Sequence, residues 1–319
     1  MDSKDYRQIN TSSGSLGVFF RWCLVVAFLL PFSVVKAADG GTSSAFELSV
    51  GGGWSDIAYR PLAPEVSNAG SWGLTAHAGY TLFFTPVVGV SLGVDLSRYG
   101  AALTPPSALS WAGQTDSDGE PYEHRLMLSG WRERHNALYA QFPVSLRFDV
   151  PVGQIRFLAE VGVKYGIYLS GGTVASGSVT HTGWYDKWHL LLYDLPPYGF
   201  YTETDFNPRT EVKYRDMWSA FLKVGVAVPL TAHMSLTCRF FFEGGFTDIM
   251  PAGRTVSELG FRNDRPGMES LHAFMPDYTS LLDTDLVGNR ANALSLGLEL
   301  GLSWRIPHRK RYTCRCLFD

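Results

Sequence analysis

The 319-residue sequence predicts an all-β protein, a barrel of eight antiparallel up-and-down strands. Three observations carry this prediction: apolar residues alternate with small or charged ones, the alternating segments are long, and short and long connections follow each other in turn. The alternation is clearest over 294–306, where the apolar positions are Leu294, Leu296, Leu298, Leu300, Leu302, Trp304 and Ile306. Because successive side chains of a strand point to opposite faces, one face of this segment is hydrocarbon and the other is polar.

The other alternating segments set the strand count and the orientation. With 294–306 they are 46–54, 72–83, 87–99, 132–150, 155–170, 212–228 and 234–247. The links 84–86, 151–154 and 229–233 are short, and they alternate with long links at 55–71, 100–131, 171–211 and 248–290. Bacterial outer-membrane barrels have short periplasmic turns and long extracellular loops. The sequence therefore predicts a transmembrane β-barrel whose strands begin and end on the periplasmic side.

The inward face decides between this barrel and a soluble one such as a lipocalin, which is apolar inside. The inward positions are predicted to form a lumen charge network: Glu47, His77, Asp95, Arg147, Arg156, Glu160, Lys164, Lys223, Arg239, Glu243 and Glu299. Unpaired charges are too costly for a dry core. The five acids and five bases balance, and an eight-stranded barrel is just wide enough for side chains to fill. We expect a lumen plugged by ion pairs, with Glu160 close to Lys223 and Arg239 as a second candidate pair with Glu299.

The two ends of the chain carry different signals. Arg21, an apolar stretch over 22–35 and small residues before position 38 predict a signal peptide at 1–37. The stretch is too short for a spanning helix, which disfavours a membrane anchor. The barrel is assigned to 38–306 and a basic periplasmic tail to 307–319. Cys314 and Cys316 in this tail match no standard zinc spacing.

Motifs for catalysis and cofactor binding are missing from the sequence. It holds no nucleophile elbow, zinc-protease motif or phosphate loop, so we expect no enzyme and no cofactor. His77 is expected to be a structural hydrogen-bonding residue of the lumen. The acidic run 116–120 resembles a calcium loop, but Pro121 stands where such a loop needs glycine. The net charge of −3 argues against a nucleic-acid partner.

The link 171–211 is rich in aromatic residues. Long loops are often functional and exposed aromatic side chains mark binding surfaces. The sequence predicts a loop binding surface for an extracellular ligand at Trp184, Tyr185, Trp188, Tyr193, Tyr198 and Tyr201. The alternative is that these residues cap the barrel or belong to its upper aromatic girdle.

Three segments carry a family resemblance: 137–146 (ALYAQFPVSL), 160–166 (EVGVKYG) and 301–306 (GLSWRI). In this order they resemble the small outer-membrane β-barrel family of Bacteroides-type bacteria, which is similar to OmpA- and OmpX-like barrels. The tail after position 306 departs from that family. The resemblance implies an outer-membrane location after signal-peptide removal, surrounding outer-membrane lipid and lipopolysaccharide, and the barrel-assembly machinery as a partner during insertion.

Two function classes follow from these predictions. The first is a non-enzymatic outer-membrane protein with a structural or surface-interaction role through its long loops. The second is a small porin for ions or small solutes, and an outer-membrane lipid-modifying enzyme is a more distant alternative. Interleaved charges of both signs favour the first class, whereas a lumen with charges of one sign would favour the porin.

Overall fold

The computed structural model of the protein describes residues 43–61, 65–116, 118–254 and 280–307, without the side chains of 197, 205, 206 and 307. The predicted signal peptide lies outside these ranges, as does the tail after position 307 with Cys314 and Cys316. No helix in the described part of the chain is long and apolar enough to cross a membrane.

The described chain is almost entirely strand. In order, the strands are β1 (Ser43–Pro61), β2 (Ser67–Phe83), β3 (Val88–Thr104), β4 (Ala108–Thr115), β5 (Pro121–Val152), β6 (Ile155–Tyr185), β7 (Leu190–Leu192), β8 (Thr202–Phe206), β9 (Arg209–Glu211), β10 (Met217–Pro229), β11 (Met234–Gly245) and β12 (Val287–Pro307). Short 3-10 helices occupy Asp186–Trp188, Pro196–Tyr198 and Leu281–Asp283.

Eight long strands pair in a closed antiparallel ring. The ring order is β1, β2, β3, β5, β6, β10, β11 and β12, and β12 returns to β1 from Pro307 opposite Ser43 to Val287 opposite Pro61. Such closure leaves no free sheet edge in the ring. The predicted eight-stranded up-and-down barrel is confirmed, with its short turns between β2 and β3, β5 and β6, and β10 and β11.

The barrel wall is apolar outside and polar inside. On β12, Leu298 and Leu300 are 60% and 55% exposed, whereas Glu299 between them is 1% exposed. On β1, Val50 is 65% exposed and Glu47 is 2% exposed. This is the reverse of a lipocalin, and it follows from the two-residue alternation of the strands.

Aromatic side chains border the apolar outer face at two levels. Near the short turns, Phe46 lies opposite Trp304 and Tyr80 on the neighbouring strands. At the other level, Trp54 lies opposite Trp72. At the usual rise per strand residue, Phe46 and Trp54 are about 27 Å apart along β1. Because barrel strands tilt by about 35–45°, this corresponds to about 20 Å of height, near the apolar band of about 25 Å between the aromatic girdles of a transmembrane barrel.

The structure corrects the predicted strand ends and long loops. Strands β5 and β6 have 32 and 31 residues and continue far past the predicted limits at 132 and 170. Strands β4, β7, β8 and β9 lie inside the links predicted to be loops. We call β4, the parts of β5 and β6 over 121–136 and 171–185, and β7–β9 the blade. One face of the blade is apolar and buried at Leu126, Leu128 and Val179. The other face does not have to be apolar, so the alternation is weaker there, while the backbone ladder between β5 and β6 continues.

An apolar layer lies where the blade joins the barrel, and we call it the upper core. Its members come from six ring strands and the links between them, and they include Ile57, Tyr99, Leu103, Leu126, Tyr139, Met217, Leu281 and Leu282. Leu281 and Leu282 are 0% and 1% exposed. The segment before β12 therefore folds back into the protein rather than extending as an exposed loop.

Candidate functional site

Arg239 is the centre of the charged lumen. It points inward from β11, is 1% exposed, and contacts Glu160 at 3.1 Å, Glu299 at 2.7 Å and also Glu47. Gly225 lies opposite on β10, where a Cβ atom would come within 2.6 Å of Arg239 Cα and 2.9 Å of its Cγ. The glycine leaves space for the guanidinium side chain beside the wall, so Arg239 can reach three carboxylates on three different strands.

The carboxylates around Arg239 have further partners. Arg147 donates to Glu47 at 2.5 Å, and Lys223 lies 3.0 Å from Glu299. Hydroxyl groups complete the shell: Ser145 donates to Glu160 at 2.7 Å, and Ser49 donates to Glu299. These side chains span the lumen from wall to wall, which makes the network a crosslink between strands.

A second group of ion pairs lies beside this centre. Lys164 sits between Asp95 at 2.8 Å and Glu243 at 2.7 Å. His77 contacts the other oxygen of Asp95 through its Nδ1 atom. Glu243 also accepts hydrogen bonds at 2.7 Å from three neutral side chains, those of Tyr99, Gln141 and Ser219. Charge pairs and neutral donors thus join into one continuous polar layer.

Of the two specific pairs predicted from sequence, one forms a direct ion pair and the other is close in register but bound to different partners. Arg239 and Glu299 are register neighbours and form a direct ion pair. Glu160 and Lys223 are also register neighbours, but Glu160 binds Arg239 and Lys223 binds Glu299. Long side chains reach past the adjacent strand, so backbone register alone does not fix their partners.

Arg156 is separate from the central network. It binds Asp149 at 2.5 Å near the β5–β6 turn, and Arg305 binds the second oxygen of Asp149 at 3.1 Å. The ten other predicted lumen residues are all buried inside the barrel. Sequence reasoning missed the neutral members of the network, Ser49, Tyr99, Gln141, Ser145 and Ser219. All five occupy inward positions of the alternation, but an inward position without a charge does not by itself indicate membership of an ion-pair network.

The strongest resemblance to a catalytic triad lies in the upper core. Ser280 donates to Glu133, whose carboxylate lies 3.2 Å from Nε2 of His135. Catalysis by a serine nucleophile needs a base on the hydroxyl group, but here the hydroxyl is bound to the carboxylate. Glu133 also accepts the backbone N–H of Leu281 at 2.9 Å. This cluster holds the segment before β12 in place.

In the acidic turn 116–120, the carboxylate of Asp116 accepts hydrogen bonds from the protein itself. Asp116 accepts the backbone N–H groups of Asp118 at 3.0 Å and Glu120 at 2.9 Å, and the hydroxyl of Tyr185 at 2.8 Å. Slight burial raises the pKa of Asp116, but these hydrogen bonds outweigh it and the net shift is downward. Among the described residues, no three His, Cys, Asp or Glu side chains are arranged to hold a metal ion.

The six residues predicted as a loop binding surface differ widely in their exposure. Tyr185 and Tyr201 are 2% and 6% exposed and pack inside the blade. Trp188, Tyr193 and Tyr198 are 51%, 67% and 46% exposed. Trp184 is half-buried beneath Arg125, whose guanidinium lies 5.0 Å from the ring centre. Only part of the aromatic sequence is therefore available to a partner.

Two histidines inside the blade were missed from sequence. The rings of His124 and His181 stack with centroids 5.4 Å apart, and their Nε2 and Nδ1 atoms are 3.2 Å apart. Burial lowers the pKa of His124 to about 4 and that of His181 to about 3. Both are therefore neutral at pH 7. They come from strand segments that the sequence predicted to be loops.

Comparisons with known proteins give similarity to solved barrel structures. No family model matches the chain, and no curated protein matches its sequence. Neisserial surface protein A is 10% identical, with 83% of this chain and 98% of that chain covered and a TM-score of 0.31. The outer membrane protein OprG from Pseudomonas aeruginosa is 10% identical, with coverages of 85% and 99% and a TM-score of 0.33. A major outer membrane protein from Thermus thermophilus is 12% identical, with coverages of 82% and 99% and a TM-score of 0.34.

Proposed function

We propose that the protein is a non-enzymatic outer-membrane barrel that plugs its own lumen with ion pairs and presents the blade outside the cell. The observation that carries this proposal is the lumen layer around Arg239, enclosed by a wall whose outer face is apolar. Outer-membrane lipid and lipopolysaccharide would surround this wall. The barrel-assembly machinery would insert it, and the blade would meet an extracellular ligand.

The outer face supports the membrane part of the proposal. Exposed leucine, valine and phenylalanine side chains occur on all eight ring strands, for example Leu74, Leu92, Val144, Val161, Leu222, Phe240, Leu298 and Val50. Contiguous apolar patches on water-soluble monomers rarely exceed a few hundred Å². A continuous apolar belt around a closed barrel is stable in lipid, where it needs no partner protein.

The side-chain contacts inside the barrel favour a plugged lumen rather than a porin. A conducting barrel needs a continuous water path, whereas here the charged groups contact each other across the lumen. The upper core adds a second barrier, since Tyr99 and Tyr139 pack edge to face with ring centroids 5.9 Å apart. A channel is the second function that the sequence allows, and no contact in the described part of the lumen specifically favours it.

Labelling of engineered cysteines tests the location and orientation. In a background without native cysteines, Tyr193→Cys on the blade is expected to react with a membrane-impermeant maleimide in whole cells. Thr231→Cys in the β10–β11 turn is the matched control, since this position is also exposed, and it should react only after lysis. Both variants should fractionate with the outer membrane. Reversed labelling would invert the topology, and recovery in the soluble fraction would reject the membrane location.

A further inference from the structure

We propose that the far end of the blade is a lipid-binding tip that inserts into the interface of a second bilayer with zwitterionic headgroups. The tip is the segment 186–198. Its large apolar side chains point into solvent at six positions, Trp188, Leu190, Leu191, Tyr193, Leu195 and Tyr198, with exposures between 36% and 67%. The inference rests on the proposed extracellular placement of the blade.

The composition of the tip fits a bilayer interface. Tryptophan and tyrosine favour this region because each has an apolar ring and a polar group. Leucine supplies the part that enters the acyl-chain boundary. Because β7 pairs with Gly183, Trp184 and Tyr185 of β6 at the end of that strand, the tip is the projecting end of a hairpin. A projecting apolar end can enter a soft lipid layer without a complementary pocket.

The backbone holds these side chains in a fixed arrangement. Among the described residues, His189 and Asp194 are the non-glycine positions with positive φ, at 46° and 51°, and they flank β7. Such conformations persist where the surroundings determine them. Tyr185 supports the tip from below, with its ring 5.5 Å from those of Tyr122 and Trp188. The tip therefore does not need to become ordered on binding, which lowers the cost of association.

The charges of the tip complement zwitterionic headgroups. Asp186 and Asp194 are exposed beside the apolar residues and can meet the ammonium groups of choline lipids. Lys187 is 60% exposed, where it can meet phosphate, and its charge is already balanced by Glu120 at 3.0 Å. A surface that attracts anionic lipid would carry an excess of cations, whereas the tip has one lysine, Lys187, against the two carboxylates of Asp186 and Asp194.

The length of the blade indicates a second membrane. Tyr165 of β6 contacts its register neighbour Trp218 of β10 on the barrel wall, with ring centroids 5.0 Å apart. From there to Tyr185, β6 continues as one strand with two irregularities in its pairing to β5, which corresponds to about 65 Å measured along the strand. The tip thus projects well beyond the bilayer that holds the barrel, toward the surface of another cell or vesicle.

Vesicle flotation tests the tip directly. The full chain in nanodiscs is mixed with phosphatidylcholine vesicles, and co-flotation is compared with that of empty nanodiscs. The variant Trp188→Ser/Leu190→Ser/Leu191→Ser is expected to reduce partitioning at least about tenfold, given the apolar area removed. The matched control is Met127→Ser, because Met127 is 60% exposed on the same blade but lies outside the tip. This control should float like the wild type.

Each outcome has a defined meaning. No flotation of the wild type, or equal flotation of the triple variant, overturns the proposal and leaves a protein ligand as the partner of the blade. Flotation only after phosphatidylglycerol is added overturns the zwitterionic assignment. If the triple variant loses its heat-modifiable gel mobility, Tyr193→Ser/Tyr198→Ser replaces it with the same expectation. Labelling of Tyr193→Cys in whole cells separates failure of the tip from failure of the extracellular placement.

Discussion

Replacing Arg239 with leucine is expected to destabilise the folded barrel by about 3–5 kcal/mol. The guanidinium is the common partner of Glu47, Glu160 and Glu299, and each of these carboxylates is at most 3% exposed. Removing it leaves these buried negative charges close together without their common cation. The free energy of unfolding, measured by urea titration in lipid vesicles with tryptophan fluorescence, gives the loss.

A matched control and a double variant isolate the cause of this loss. Arg125→Leu also removes an arginine from a carboxylate, but Arg125 is 41% exposed and pairs with Glu123 on the blade surface. It should cost at most about 1 kcal/mol. Adding Glu160→Leu to Arg239→Leu should recover part of the loss, since one unpaired charge is removed. Losses that simply add would contradict the coupling within the network.

Introducing a charge on the outer face is expected to have the second-largest effect. Leu300 is 55% exposed and lies midway along β12 between Leu296, opposite Trp54, and Trp304, opposite Phe46. If this face meets lipid, Leu300→Arg should destabilise the barrel by about 2–4 kcal/mol, the cost of arginine near the bilayer midplane. The same urea titration measures it.

The blade again provides the control for this charge. Met127→Arg places arginine at a position that is 60% exposed but lies outside the proposed membrane region. Surface substitutions of this kind usually change stability by no more than about 0.5 kcal/mol. Equal effects of Leu300→Arg and Met127→Arg would mean that the apolar outer face of β12 is in contact with water. This would contradict the membrane assignment.

The barrel was predictable from sequence because the two faces of its wall differ in polarity. An apolar outer face and charge pairs inside require Leu298, Glu299 and Leu300 to alternate, and one register fits this requirement. The blade was not predictable to the same extent. One of its faces packs in the upper core through Leu126 and Val179. Residues of the other face, such as Thr180 and Ser178, are not required to be apolar, although they pair with Met127 and Ser129 on β5.

The sequence predicted which residues line the lumen better than it predicted which of them contact each other. Alternation assigns Glu160, Lys223 and Arg239 to one face, but the choice among partners depends on side-chain reach. Arg239 extends across its neighbours because Gly225 leaves space beside it. The upper core was missed because Leu281 and Leu282 lie in a predicted loop, and their burial depends on Glu133, which is far away in sequence.

Conductance of the purified protein in planar bilayers is the most direct test of the plugged lumen. Insertion is established first by heat-modifiable gel mobility and protection of the barrel from protease. The inserted wild type is then expected to show no ion current, because ion pairs and the upper core both block the path. Reproducible single-channel steps from the inserted wild type would contradict the plug and establish the protein as a channel.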